Sequence, residues 1–236
     1  MRNSHICIIH REALAAKKLE PEANKVLSDV IKIVNCVKAR ALHSRLFSIL
    51  CNEMGSQYDT LLLHTEVRWL SRGKILRRVV ELKDELHLFL SEHNPTLAEN
   101  FCNDRWLLIL CYLVDIFEKL NDLNLSLQGR NSTILMLSDK IFAFMRKLTL
   151  WKRKYEEGST EMFQCLSEFA EESELDRTQI DVVVSTHLKN LHHNFSEIFK
   201  GLQAEDFDWI RNPFSADVET MDLPLVDQEE LMELAH

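Results

Sequence analysis

The chain has 236 residues, 28 Lys+Arg against 37 Asp+Glu, 46% hydrophobic residues, five Gly and four Pro. That length suits one large domain or two small ones, burying roughly 70–75% of the unfolded surface. The apolar fraction, with 12 Phe and 4 Trp, excludes a disordered chain. The scarcity of Gly and Pro excludes an all-β or loop-rich architecture, so long helices are expected.

In chain order, Ile6–Ile9 is a short apolar run fit for a strand, and Glu12–Leu19 reads as a helix up to Pro21. Pro21 suits a first helical turn. Val26, Val30, Ile33 and Val37, with Leu27, Ile31 and Val34, then give a 3.6-residue stripe. Leu42–Met54 continues helically to Gly55, a C-terminal cap. Asp59–His64 contains Leu61-Leu62-Leu63 and is the strongest strand candidate. Ser71 caps an expected helix from Arg72 to about Glu92, which Asn94-Pro95 ends.

Trp106, Leu110, Leu113, Phe117, Leu120 and Leu127 follow 4-3 spacing, with Asn124 the one polar member. Ile134, Leu137, Ile141, Phe144, Leu148 and Trp151 repeat the pattern across a short Gln128–Asn131 connection. An antiparallel hairpin with coiled-coil-like seams is expected. Met162–Ala170 is helical, and Thr178–Leu202 turns Val184, Leu188, Leu191, Phe195 and Ile198 inward. The aromatic segment 207–214 docks on the bundle, and Asp227 with Glu230 forms a capping box for a final helix.

Charge divides the chain. Residues 1–155 hold 24 Lys+Arg and 17 Asp+Glu; residues 156–236 hold 4 and 20. A basic front and acidic tail admit an anionic partner, internal pairing, or oppositely charged solvated faces. No signal peptide or bilayer-length apolar run occurs. Six cysteines without paired spacing fit buried thiols in a reducing intracellular compartment.

Cys7-x-x-His10 has metal-ligand spacing but no second close Cys/His pair, so no metal is assigned. Nothing resembles a nucleophile elbow, a Gly-rich phosphate loop or a carboxylate pair at catalytic spacing, and no catalytic residue, cofactor or small-molecule substrate is assigned. Residues 67–80 contain five basic residues and no acid: Arg68, Arg72, Lys74, Arg77 and Arg78, beside Trp69. Such a segment either contacts nucleic acid, with cations on phosphate and Trp69 under a base, or is an amphipathic helix with a basic outer face and an anchoring Trp.

Three blocks in order carry a resemblance: Cys7-Ile-Ile-His10-Arg11-Glu12, His64-Thr-Glu-Val-Arg68-Trp69-Leu-Ser71-Arg-Gly-Lys74, and Asn124-Leu-Ser-Leu-Gln128-Gly129. With Trp209-Ile-Arg-Asn212-Pro213-Phe214 in the tail, they resemble the hAT superfamily of transposases. The wording is most similar to domesticated members: the transposase-derived regions of BED-type zinc-finger proteins and of the TFII-I-repeat-containing protein. The resemblance implies an RNase H-like core interrupted by a helical insertion, with three acids holding divalent metals. It implies that the Trp matching Trp69 stacks on a flipped base. It places the first two acids before Met1 and the third, in a Cys-Glu-x-x-Phe-Ser motif, beyond His236, so the chain reads as truncated at both ends.

The expected fold is therefore mainly α: a long-helix bundle of the insertion type, residues 93–236, attached to a partial RNase H-like remnant, residues 1–92, with one or two short strands. The expected function is that of a non-catalytic protein-interaction module, through a protein partner or self-association, with at most weak DNA binding near Arg68-Trp69. The alternative is a DNA-binding or nuclease subunit that completes its site with another chain. Family resemblance points to the nucleus, with the cytoplasm the other location.

Overall fold

A computed structural model describes residues 11–16, 18–62, 71–128 and 133–200, together with Leu225 and Glu229. The expected Ile6–Ile9 strand, the aromatic segment 207–214 and the capping box at Asp227 lie outside the described residues. The described chain is mainly helical: α1 (residues 11–16), α2 (Pro21–Lys38), α3 (Ala41–Glu53), α4 (Ser71–Glu81), α5 (Lys83–His93), the short α6 (Pro95–Ala98), α7 (Asp104–Leu127), α8 (Ile134–Glu156), α9 (Gln164–Glu172) and α10 (Asp181–Ile198). Single 3-10 turns precede α7 and α10. Among the described residues no helix is long and apolar enough to cross a membrane.

Local chemistry sets the helix ends. Pro21 occupies the first turn of α2, and the Glu20 carboxylate accepts from the amides of Glu22 and Ala23 at 2.9 and 3.0 Å. Gly55, at φ +73°, reverses the chain after α3 in the left-handed conformation glycine adopts without strain. Asn94 serves both sides of its break: its amide closes α5 on Leu90, and its Oδ1 accepts from Leu97 to start α6.

Two expectations are corrected. No strand occurs among the described residues. Residues 60–62 of the Leu-rich segment are irregular, and His64 and Leu63 fall outside the description. Leu61 is buried as a single anchor. The Thr60 carbonyl accepts from Arg78 Nη1 at 3.0 Å, which satisfies a backbone group that a strand would have paired in a ladder. Second, the helix expected over 72–92 is two helices, interrupted at buried Leu82 (φ −112°, ψ 28°). The amides of Leu82 and Leu86 keep their bonds to the carbonyls four residues back, so hydrogen bonding runs up to the break from α4 and resumes from it in α5. The bend lets α4 pack on α7 while α5 turns to α3 and α6.

α7 is the centre of the molecule. From Trp106 to Phe117 every residue is buried. A helix apolar around its whole circumference needs neighbours on all sides. It therefore packs chiefly on α4 and α9, and also on α2. The expected α7–α8 hairpin seam is correspondingly thin: α8 lays its Leu137, Ile141, Phe144 and Leu148 face mainly on α10, where Phe144 and Phe195 meet at 5.2 Å. One buried cluster runs from Ala15 to Phe199 and includes residues on both sides of position 92.

Candidate functional site

The basic segment opens α4. Arg68 and Trp69 lie outside the described residues; of the four described cations only Lys74 is exposed, while Arg72, Arg77 and Arg78 are partly buried. Arg77 forms a bidentate pair with Glu118 of α7, through Nε to Oε1 and through Nη2 to Oε2 at 2.9 Å. The Glu118 carboxylate holds the Arg77 guanidinium protonated above its already high ordinary range. Arg78 lies 3.4 Å over the Tyr58 ring, donates to the Thr60 carbonyl, and pairs with Glu81 at 3.3 Å. Burial lowers the Arg72 pKa. Two of the four cations thus hold the protein's own carboxylates, and a bidentate arginine already committed has little to offer phosphate.

Gly73 explains the glycine of this block. A Cβ at Gly73 would meet the Phe117 carbonyl carbon at 3.4 Å and Phe117 Cβ at 3.5 Å. Its absence lets α4 and α7 approach closely, which also brings Arg77 to Glu118.

The first and third sequence blocks meet in space. Glu12 is fully buried in α1, and its Oε2 accepts from Asn124 Nδ2 of α7 at 2.7 Å. Asn124 Oδ1 in turn accepts from Gln128 Nε2. The single polar member of the α7 stripe is therefore the partner of a buried carboxyl. Burial pushes the Glu12 pKa up to about 7, against the opposing pull of the Asn124 amide. Arg11 beside it donates to the Ile198 carbonyl and lies 5.0 Å over the Phe199 ring, fastening α1 to the end of α10. Cys7 and His10 lie outside the described residues. Among the described residues, no group of three His, Cys, Asp or Glu side chains could hold a metal ion.

Four arrangements were not singled out from the sequence. Asp115, one turn from Cys111 inside the apolar run of α7, accepts from the amides of Cys165 and Leu166 at 3.0 Å each, capping α9 from a distance. An acid in that run was the available signal. Burial raises its pKa to about 6 despite those two amides. Tyr112 O–H meets His187 Nδ1 at 2.7 Å in the core, and burial lowers the His187 pKa to about 4. Arg105 grips Glu22 with two bonds of 2.6 Å.

The fourth arrangement concerns surface. α3 buries only Phe47 and Cys51. Its opposite side presents Leu42, Leu46 and Ile49, respectively 64%, 40% and 54% exposed, and Met54 just past its end is 45% exposed. The i, i+4, i+7 spacing places the first three on one stripe. A separate groove of about 400 Å³ between α7 and α8 is lined by Lys119, Lys140, Lys147, Phe144 and Trp151. Its cations are partly engaged: Lys119 lies 4.8 Å over Trp151 and Lys140 donates to the Ser126 carbonyl.

No solved structure matches this chain. The sequence model of the FAM200/GTF2IRD2 helical domain matches residues 6–156, a span that includes all three blocks and the helices that bring the first and third together. The chain belongs to the FAM200/GTF2IRD2-like family, with residues 6–156 forming its helical domain.

Proposed function

We propose that this chain is a transposase-derived, non-catalytic helical module that works by binding protein. The observation that carries the reading is the apolar stripe of α3, three large side chains in register on a surface helix. Ordinary surfaces scatter such residues singly, whereas a contiguous stripe at helical spacing is what a partner helix recognises. In this reading residues 1–92 descend from an hAT-type RNase H-like core and residues 93–236 from its helical insertion, and the protein acts in the nucleus. DNA contact is at most weak, because Arg77 and Arg78 are engaged within the protein.

The test is a photo-crosslinking amino acid at position 46 in cells, against the same group at exposed Lys189 of α10. Protein adducts specific to position 46 are expected. Equal labelling from both positions, or none from either, removes α3 as the interaction face.

The second reading, a DNA-binding or nuclease subunit completing its site with another chain, draws on exposed Lys74, which belongs to the same basic stretch of sequence as Arg68-Trp69. Mg²⁺- or Mn²⁺-dependent nicking of hairpin DNA, lost on Trp69→Ala, would establish it in place of the first.

A further inference from the structure

The stripe on α3 has two charged margins. Arg45 and Glu53 are both exposed and lie on the same outward half of the helix as Leu42, Leu46 and Ile49. α3 also carries no acid in its first turn and no base in its last, and Arg40 before it makes no side-chain cap. Its own residues therefore leave both ends of the helix dipole uncompensated.

Resting on the reading of α3 as an interaction face, we propose that its occupant is a second copy of this chain, with the two α3 helices packed antiparallel about a two-fold axis near residue 48. A two-fold contact must be complementary to itself, and this face is. Reversed on its neighbour, Leu46 opposes Ile49 of the other copy. Leu42 opposes the end that carries Met54.

Charge selects the direction. In a parallel pair Arg45 would face Arg45 and Glu53 would face Glu53. In the antiparallel pair each Arg45 comes within one helical turn of the other copy's Glu53. The same reversal sets Glu53 beside the positive N-terminal end of the facing helix and Arg45 near its negative C-terminal end, supplying from outside the compensation that α3 lacks. A 13-residue helix is about 20 Å long, so the contact falls below the usual ~1,600 Å² of a stable complex. The dimer is accordingly transient, half-formed at concentrations on the order of 10–100 µM.

Sedimentation equilibrium on the full chain tests this directly. The wild-type chain should show a concentration-dependent monomer–dimer equilibrium. Arg45→Glu and Glu53→Arg should each weaken it about tenfold, because each variant carries one sign at both margins. An equimolar mixture of the two should recover wild-type association, because the mixed pair again sets opposite charges together. Leu46→Ser with Ile49→Ser should give a monomer with unchanged circular dichroism. A wild-type monomer at several hundred micromolar, or a mixture no better than either variant, overturns the proposal. A monomer that still gives position-46 adducts with other proteins keeps α3 as the interaction face and removes only the second copy; loss of both removes both.

Discussion

The carboxylate of Glu12 and the side-chain amide of Asn124, 112 positions apart, form a buried hydrogen bond of 2.7 Å. This contact fixes α1 to the central helix and accounts for a polar residue at a position whose stripe is otherwise apolar. Because the carboxyl is buried, ionising Glu12 is costly, and its pKa rises to about 7 from 4.5.

The pH consequence follows from linkage. Between about 4.5 and 7 the folded chain holds a proton on Glu12 that the unfolded chain releases. Stability from this group is therefore fully present at low pH and falls as pH rises through that window. Glu12→Gln keeps an acceptor for Asn124 and mimics the protonated form. The variant should be more stable than wild type at pH 8, by on the order of 2–3 kcal/mol, and equal to it near pH 4.5. His187 acts oppositely: its lowered pKa of about 4 removes stability as pH falls below 6.5, but it is common to both chains and cancels in the difference. Urea unfolding of the two proteins at pH 4.5, 6 and 8 reads the effect; parallel curves would show that Glu12 is not the titrating group.

Asp115 is the remote cap of α9. Phe163, at the capping position itself, makes no side-chain bond, so the amides of Cys165 and Leu166 depend on Asp115. Asp115→Ala leaves two buried donors without partners and should cost about 2–4 kcal/mol. Asp115→Asn retains one acceptor oxygen and should cost about half as much. Amide exchange at Cys165 and Leu166 should accelerate in the alanine variant more than at Val184 of α10. Uniform acceleration would mean that the loss is global rather than a failed cap.

Much of this architecture was legible because burial has a period. The α2, α7, α8 and α10 stripes predicted most of the core residues of those helices, with Ile31, Trp151 and Ile198 only partly buried at its edge. The break at Leu82 was not legible, since no Gly or Pro marks it and the apolar spacing runs on through Val79, Leu82 and Leu86. The Leu61–Leu63 triplet resembled a strand because apolarity over a few residues does not specify backbone pairing. Arg77 and Arg78 read as a solvated positive face because their partners, Glu118 and Tyr58, are 41 and 20 positions away. The outward stripe of α3 followed a visible 4-3 pattern. Periodicity reports that residues share a face, however, and not whether that face points inward.

Gly73 offers a graded test of the α4–α7 contact. A methyl group there would sit 3.4–3.6 Å from the Phe117–Glu118 backbone and side chain, at the near edge of ordinary packing. Gly73→Ala should be close to neutral, because the helix-propensity gain of about 1 kcal/mol offsets small shifts in α7. Gly73→Leu cannot be seated and should destabilise by about 2–3 kcal/mol. Thermal unfolding of both variants checks this. A leucine variant as stable as wild type would mean that the two helices can part without loss.

The basic segment makes its own prediction about salt. Arg77→Ala should weaken folding by about 1 kcal/mol or less, as expected for a half-exposed ion pair, and should leave oligonucleotide binding unchanged, because Arg77 is already occupied by Glu118. Lys74→Glu should do the reverse: no effect on folding from an exposed site, but loss of whatever DNA affinity exists. Each phosphate neutralised contributes about 0.7–0.9 to the slope of log affinity against log salt. With Lys74 as the principal accessible cation among the described residues of this patch, the wild-type slope should exceed that of Lys74→Glu by about one. Fluorescence anisotropy with a labelled single-stranded oligonucleotide between 50 and 200 mM salt measures both quantities. A slope difference of one for Arg77→Ala instead would mean that Glu118 releases its arginine to phosphate, and that the α4–α7 ion pair opens when nucleic acid binds.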